Sequence, residues 1–129
     1  MTDYSKMSDF EINLAVAHIA IGSGGYDWSS DKKEVYLAAM DGGEFLPNAY
    51  FNPCNNPADA WPIIVENNIT IINDKNCFPR ATNDSFLFIN DQFDDCIHWC
   101  DRNPLKAAMI VFLMMQDSQN AKIPTERDS

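Results

Sequence analysis

The segment at residues 105–117 carries apolar side chains on most sides of a potential helix. It follows Asn103-Pro104, which is a helix-start pattern. Asn is a good N-cap, and Pro suits the first helical position because its missing N–H would be unpaired there anyway. A helix that is apolar on most faces has to be surrounded by the rest of the domain. We therefore predict a central helix that begins after Asn103 and ends at about Asp117.

Two earlier segments begin helices in a similar way. Ser8 and Glu11 stand three residues apart before an apolar stripe, which is the spacing of a capping box. Asn56-Pro57 repeats the pattern of the last helix, and independent use of the same start chemistry explains this repeat more simply than duplication. Pro62 should bend the second helix or force a new turn to start there, because proline removes a helical hydrogen bond.

Short apolar segments between these helices predict strands. We assign strands to residues 34–40, 46–51, 69–72 and 86–89, a turn to residues 41–43 and loop to residues 73–85. Residues 92–100 fit either a strand or irregular structure. The fold class is α+β, with a small antiparallel or mixed sheet packed against two or three helices. We predict a single domain at residues 1–118 and a polar, frayed tail at residues 119–129.

Length and hydropathy limit the class of protein further. The chain has 129 residues and 46% hydrophobic residues, enough for one domain with its own core. No apolar run is long enough to span a bilayer, and the N-terminus lacks the pattern of a signal peptide. We expect the protein in the cytoplasm of the cell that makes it. In that reducing compartment, the four cysteines should be free thiols in or near the core.

The net charge of −10 limits the partners that the protein can bind. A strongly negative field repels phosphate backbones, which disfavours direct binding to nucleic acid. The same field favours a basic partner, including the nucleic-acid groove of another protein. The simpler alternative is that the negative charge only keeps the protein soluble.

Five aspartates lie between Arg80 and Arg102 without any intervening Lys or Arg: Asp84, Asp91, Asp94, Asp95 and Asp101. Their carboxylates could bind a hard cation, although the stretch lacks the glycine-centred loop of an EF-hand. They could also present negative charge to a basic partner. The third interpretation is a solvated loop face, which is the usual fate of a run of like charges.

Cys96, His98 and Cys100 form the most suggestive metal-ligand pattern, with Cys54 and Cys77 elsewhere in the chain. Thiolates and imidazoles are the ligands of zinc. In an extended strand, however, alternate residues are about 6.5 Å apart, which is long for one tetrahedral ion. A zinc site is therefore an alternative to ordinary free thiols, and we predict no required cofactor.

Three stretches carry longer motifs: residues 8–13 (Ser-Asp-Phe-Glu-Ile-Asn), residues 54–67 (Cys-Asn-Asn-Pro-Ala-Asp-Ala-Trp-Pro-Ile-Ile-Val-Glu-Asn) and residues 103–115 (Asn-Pro-Leu-Lys-Ala-Ala-Met-Ile-Val-Phe-Leu-Met-Met). All three resemble the NinX family of enterobacterial lambdoid phage and prophage proteins. Together they cover about a quarter of the chain. The resemblance implies a phage or prophage accessory protein made inside a bacterial host. It implies no known catalytic residues.

These observations lead to one main hypothesis and two rivals. The main hypothesis is a non-catalytic accessory protein that binds a host protein, for example a component of a defence system, with an acidic face that imitates nucleic acid. The first rival is a small enzyme or a metal- or ligand-binding protein built around Cys96, His98, Cys100 and nearby aspartates. The second rival is a homo-oligomeric module. Trp28, Trp61 and Trp99 could serve either a core or an interface.

Overall fold

A computed structural model describes the backbone of residues 3–38 and 45–128 and the side chains of residues 3–37 and 50–119. Within these residues the protein has four α-helices and six strands, an α+β arrangement as predicted. The helices are α1 (Asp9–Ala20), α2 (Pro57–Glu66), α3 (Ser85–Ile89) and α4 (Pro104–Asp128). A short 3₁₀ turn (Tyr4–Lys6) precedes α1, and another (Phe93–Asp95) follows α3.

The strands form two separate antiparallel sheets of three strands each, rather than a single sheet. The first contains β1 (Tyr26–Ser29), β2 (Glu34–Ala38) and β3 (Phe45–Tyr50), in that order. The second contains β4 (Thr70–Ile72), β5 (Arg80–Thr82) and β6 (His98–Cys100), also in chain order. The first sheet packs on α1, whereas the second packs on α4.

Helix α4 is the centre of the core, which confirms the main expectation from the sequence. Every side chain from Ala107 to Leu113 is at least 96% buried, so this part of the helix is covered on all sides. Helices α1 and α2 and the second sheet provide the cover. The helix continues to Asp128, beyond the predicted end near Asp117. Within the described residues, no helix is long and apolar enough to cross a bilayer.

The three predicted helix starts are confirmed. The Ser8 backbone N–H donates to Glu11 Oε1 at 2.9 Å, and the Glu11 N–H donates to Ser8 Oγ at 3.2 Å. Asn56 Oδ1 accepts from the Ala58 N–H at 3.0 Å, which caps α2. This helix runs through Pro62 as one element rather than restarting there, and Pro62 lies on its exposed side.

The cap of α4 also joins two distant parts of the chain. Asn103 Oδ1 accepts from the Leu105 N–H at 3.0 Å, which is the ordinary capping bond. The amide of the same side chain donates to the Cys54 carbonyl at 2.6 Å and to Asn55 Oδ1 at 3.2 Å. One residue therefore starts α4 and fixes the segment that leads into α2.

Residues 52–55 are bound to α1 as well. The buried Asn13 side chain accepts from the Cys54 N–H at 3.0 Å and donates to Asn52 Oδ1 at 2.8 Å. Asp9 accepts from the Asn55 amide at 3.1 Å, and its other carboxylate oxygen lies 3.0 Å from Lys106 Nζ. We call this network the polar junction. It connects the starts of α1 and α4 through the segment before α2. Its members are Asp9, Asn13, Asn52, Cys54, Asn55, Asn103 and Lys106.

Three predictions for individual elements were wrong or incomplete. Residues 73–85 are not all loop, because they contain β5, the middle strand of the second sheet. Residues 86–89 belong to helix α3 rather than to a strand. A run of four apolar residues fits both structures, and the bond from the Leu87 N–H to Asp84 Oδ1 selects the helix. Strand β1 was not predicted. The predicted turn at residues 41–43 lies outside the described residues.

Replacing Asn103 should destabilise the protein more than replacing the other Asn-Pro cap. Asn103→Ala removes a cap and the bonds to the polar junction, so we expect a loss of about 2–3 kcal/mol in the free energy of unfolding. Asn56→Ala removes only local bonds and should cost about 1 kcal/mol. Urea unfolding of both variants measures the difference. Equal losses would show that the bonds from Asn103 to residues 54 and 55 do not contribute to the free energy of unfolding.

The Asp9–Lys106 pair should make stability depend on pH at both extremes. Burial opposes ionisation of Asp9, but hydrogen bonds from Asn55 and Lys106 and the Lys106 charge outweigh it, so the pKa of Asp9 is lowered from 3.8. Its stabilising contribution is present above that pH and is lost as pH falls below it. Burial lowers the pKa of Lys106, but its bond to Asp9 and the negative charges nearby raise it above 10.5. That contribution is lost as pH rises past this value.

The measurement is the free energy of unfolding against pH for the wild type and for Asp9→Asn. The variant should be less stable at neutral pH and should lose less stability on acidification. Asp31→Asn, on the exposed β1–β2 loop, is the matched control and should follow the wild type. Parallel curves for the wild type and Asp9→Asn would show that the pair contributes no pH-dependent stability.

Candidate functional site

Four of the five predicted aspartates, Asp84, Asp91, Asp94 and Asp95, lie in an excursion from the second sheet between β5 and β6. Its base is closed by three hydrogen bonds to Ile97. The Thr82 hydroxyl donates to the Ile97 carbonyl at 2.9 Å, and the Asn83 N–H donates to the same oxygen at 3.0 Å. The Ile97 N–H donates to Asn83 Oδ1 at 2.8 Å. Residues 84–96 therefore leave the sheet and return to it at a fixed point.

An aromatic cluster holds the inner side of this excursion. The Phe88 ring lies 5.1 Å from Phe93 and 5.3 Å from His98, between ring centres, and both contacts are edge-on. Phe93 is also 5.8 Å from His98. The Arg80 guanidinium lies 5.4 Å from the centre of the Phe88 ring. Helix α3 and the 3₁₀ turn after it are thus packed against β5 and β6.

The same excursion also exposes large apolar groups and negative charges. Phe86 is 70% exposed, Ile89 is 69% exposed and Phe93 is 42% exposed. Three of the five predicted aspartates, Asp91, Asp94 and Asp95, are exposed in the same excursion. We call these six residues the acidic–aromatic surface. Large exposed apolar groups that share one short segment with exposed charges are typical of an interaction site.

The other two predicted aspartates have structural partners. Asp84 is the N-cap of α3, where its Oδ1 accepts from the Leu87 N–H at 3.1 Å. Asp101 Oδ2 accepts from the Asn103 N–H at 2.8 Å, just before α4. Both side chains are half-buried. Asp84 and Asp101 therefore support helix starts, whereas the other three aspartates have exposed side chains.

The predicted zinc ligands lie along β6 and the residues before it. His98 packs edge-on against both the Phe88 and the Phe93 ring, Cys96 is partly buried, and Cys100 is exposed. Among the described side chains, no group of three His, Cys, Asp or Glu residues is placed to hold a metal ion. Cys96, His98 and Cys100 line one open surface pocket but are not placed to share a metal ion.

The exposure of Phe86 and Ile89 was not predicted. Residues 86–89 were predicted to form a strand, and apolar residues are usually inside. In the short helix α3, Phe88 turns towards His98, whereas Phe86 and Ile89 turn to solvent. The Asp84 cap was the available indication of a helix, and a helix of five residues cannot bury all of its apolar side chains against one sheet.

The tryptophans also divide between core and surface. Trp99 is partly buried and packs edge-on against Tyr4, with 6.3 Å between ring centres. Trp28, on β1, is 47% exposed, and Trp61, on α2, is 63% exposed. Neither exposed tryptophan belongs to the excursion that carries the acidic–aromatic surface.

All four cysteines are free thiols, as predicted, but only one lies in the core. Cys54 is fully buried within the polar junction. Its pKa is raised to about 12, mainly by burial and to a smaller extent by the negative charge of Asp9. Cys77 and Cys100 are exposed and Cys96 is partly buried. The expectation of thiols in or near the core was therefore wrong for Cys77 and Cys100.

Thiol reactivity should follow this division. With a disulfide reagent such as Ellman's reagent, Cys77 and Cys100 should react first, because the reagent reaches an exposed sulfur directly. Cys54 should react only when the protein unfolds, since its thiol is buried and stays protonated. Mass spectrometry of peptides after timed quenching measures the order. Early modification of Cys54 in the folded protein would contradict this assignment.

The comparisons with known proteins agree with the resemblance found in the sequence. The family model described as bacteriophage P22 NinX matches residues 3–116, which include the three helix starts, the polar junction and the excursion. No curated protein and no solved structure matches the chain significantly. Because the family model covers most of the chain, the protein belongs to the NinX family and is a phage accessory protein.

Proposed function

We propose that the protein binds a host protein through the acidic–aromatic surface and does not act as an enzyme. The partner is a protein with a basic surface around an apolar recess. The observation that carries this proposal is the exposure of Phe86 and Ile89, 70% and 69%, in the same short segment as three exposed aspartates. A phage accessory protein is made inside its host, where host proteins are the available partners.

The apolar side chains would supply most of the affinity. Burying a Phe or Ile side chain contributes about 1.5–3 kcal/mol, and an aromatic residue in a recess is a common centre of binding energy. Helix α3 presents Phe86 and Ile89 three residues apart, on one side of a helix whose position the Phe88–Phe93–His98 cluster fixes. Little ordering of the surface is therefore needed on binding.

The aspartates would select the kind of partner. Asp91, Asp94 and Asp95 lie in a stretch without Lys or Arg, within a chain of net charge −10. The two flanking arginines have other partners: Arg80 pairs with Asp74 and lies over the Phe88 ring, and Arg102 lies over the Phe78 ring. Negative charge at the rim of an interface speeds association with a basic partner and repels acidic ones.

This chemistry fits a nucleic-acid-binding host protein, including one of a defence system, whose basic groove the aspartates would enter. It differs from pure imitation of nucleic acid in one measurable way. A binding site that depends on charge alone weakens steeply with salt, whereas Phe86 and Ile89 would retain part of the affinity when charges are screened.

The test is affinity capture from a host lysate with matched surface variants. Phe86→Ser combined with Ile89→Ser removes the apolar part, and Asp91→Asn, Asp94→Asn and Asp95→Asn together remove the charge. Trp61→Ser, an exposed aromatic residue on α2, is the control. We expect the wild type and Trp61→Ser to capture the same protein and the apolar variant to lose it. The charge variant should bind more weakly at low salt but resemble the wild type at high salt.

Two results would overturn the proposal. If the captured protein is retained by both the apolar and the charge variants, the interaction uses another surface. If the wild type captures no protein that the variants lose, at any salt concentration, the acidic–aromatic surface is not a host-binding site. Circular dichroism of each variant shows that the fold is intact.

A further inference from the structure

A second surface, remote in sequence from the acidic–aromatic surface, has the composition of a ligand site. An open groove of about 480 Å³ runs between α1, β1 and the last described turn of α4 side chains. Most of its lining is apolar. The residues that give it chemical character are Glu11, His18, Ile19, Tyr26, Trp28 and Asp117.

One wall of the groove is a pair of stacked aromatic rings. Tyr26 and Trp28 are alternate residues of the edge strand β1, so both lie on the same face of the sheet. Their ring centres are 5.9 Å apart with an angle of 28° between planes. The Tyr26 hydroxyl lies 3.0 Å from His18 Nδ1, which fixes the Tyr26 ring against α1. Trp28 is 47% exposed and therefore offers part of its ring to a ligand.

The charged groups of the groove are negative. Backbone and side-chain hydrogen bonds from Ser8 lower the pKa of Glu11, so its carboxylate stays ionised at neutral pH. Asp117 also lines the groove and accepts a hydrogen bond from the Tyr4 hydroxyl. No Lys or Arg belongs to the described lining. Lys33 acts on Glu11 from outside, with its Nζ 6.0 Å from the Phe10 ring centre.

We propose that this groove binds a small organic cation, an ammonium group attached to an aromatic or branched aliphatic body. The apolar lining takes the body of such a ligand, and the faces of Tyr26 and Trp28 attract its positive charge. The negative charges of Glu11 and Asp117 also attract a cation and repel organic anions. This site adds to the proposed function and does not depend on it, because it shares no residue with the acidic–aromatic surface.

The test compares a cation with a neutral molecule of similar shape. The 2-phenylethylammonium ion and 2-phenylethanol have the same aromatic body and differ at the charged end. Chemical shifts of the Trp28 indole and of α1 amides, followed by NMR during titration, give the dissociation constant of each probe. We expect the cation to bind the wild type about five- to tenfold more tightly than the alcohol.

Conservative variants isolate the cause of that preference. Glu11→Gln keeps the capping box and Asp117→Asn keeps an acceptor for Tyr4, so the double variant removes charge with little change in structure. Trp28→Leu keeps an apolar side chain without a π face. The double variant should lower the preference for the cation to about twofold. Trp28→Leu should lower the preference by a factor of about three. Trp61→Leu, an exposed tryptophan outside the groove, should keep the wild-type preference.

The preference ratio makes the outcome independent of small changes in stability. Equal binding of the cation and the alcohol to the wild type would overturn the proposal, since the groove would then be only an apolar surface. The proposal would also be overturned if Trp28→Leu and the charge variant both kept the wild-type preference for the cation over the alcohol. The absence of shifts at Trp28 and α1 at millimolar concentrations of either probe would overturn it as well.

Discussion

The hydrogen bonds of residues 52–55 to the starts of α1 and α4 hold the helices of this protein in place. Asn13 binds this segment from α1, and Asn103 binds it from α4. Buried backbone groups of a loop need partners as much as those of a helix do, and here buried or half-buried side-chain amides provide them. The core can therefore close around α4 while the buried backbone groups of residues 52–55 keep hydrogen-bond partners.

The two candidate binding surfaces lie outside this scaffold. The acidic–aromatic surface belongs to an excursion of the second sheet, tied at its base to Ile97. The groove beside Trp28 belongs to the outer side of α1 and the edge of the first sheet. Both surfaces combine aromatic rings with carboxylates, so both suit positively charged ligands. We propose that the first surface binds a host protein and that the second binds a small organic cation.

Prediction from the sequence worked where a single local interaction decides the structure. Ser8 and Glu11 cap α1, and Asn56 and Asn103 cap the other two long helices, as their spacing indicated. It failed where a short segment fits more than one structure. The apolar run at residues 86–89 could be a strand or a helix, and β5 has three residues, too few for any alternation to appear. Pairing with β4 and β6, which lie far apart in the chain, makes that segment a strand.

The sequence by itself determined the family, the helix starts and the identity of the central helix, because caps act within three residues and a helix apolar on most sides has to be buried. The tertiary structure decided the rest. It used Asp84 and Asp101 as supports for helix starts and left Asp91, Asp94 and Asp95 exposed. It turned Phe86 and Ile89 outward and brought Glu11, Trp28 and Asp117 to one groove. Exposure and proximity depend on contacts between distant residues, and a linear pattern does not contain that information.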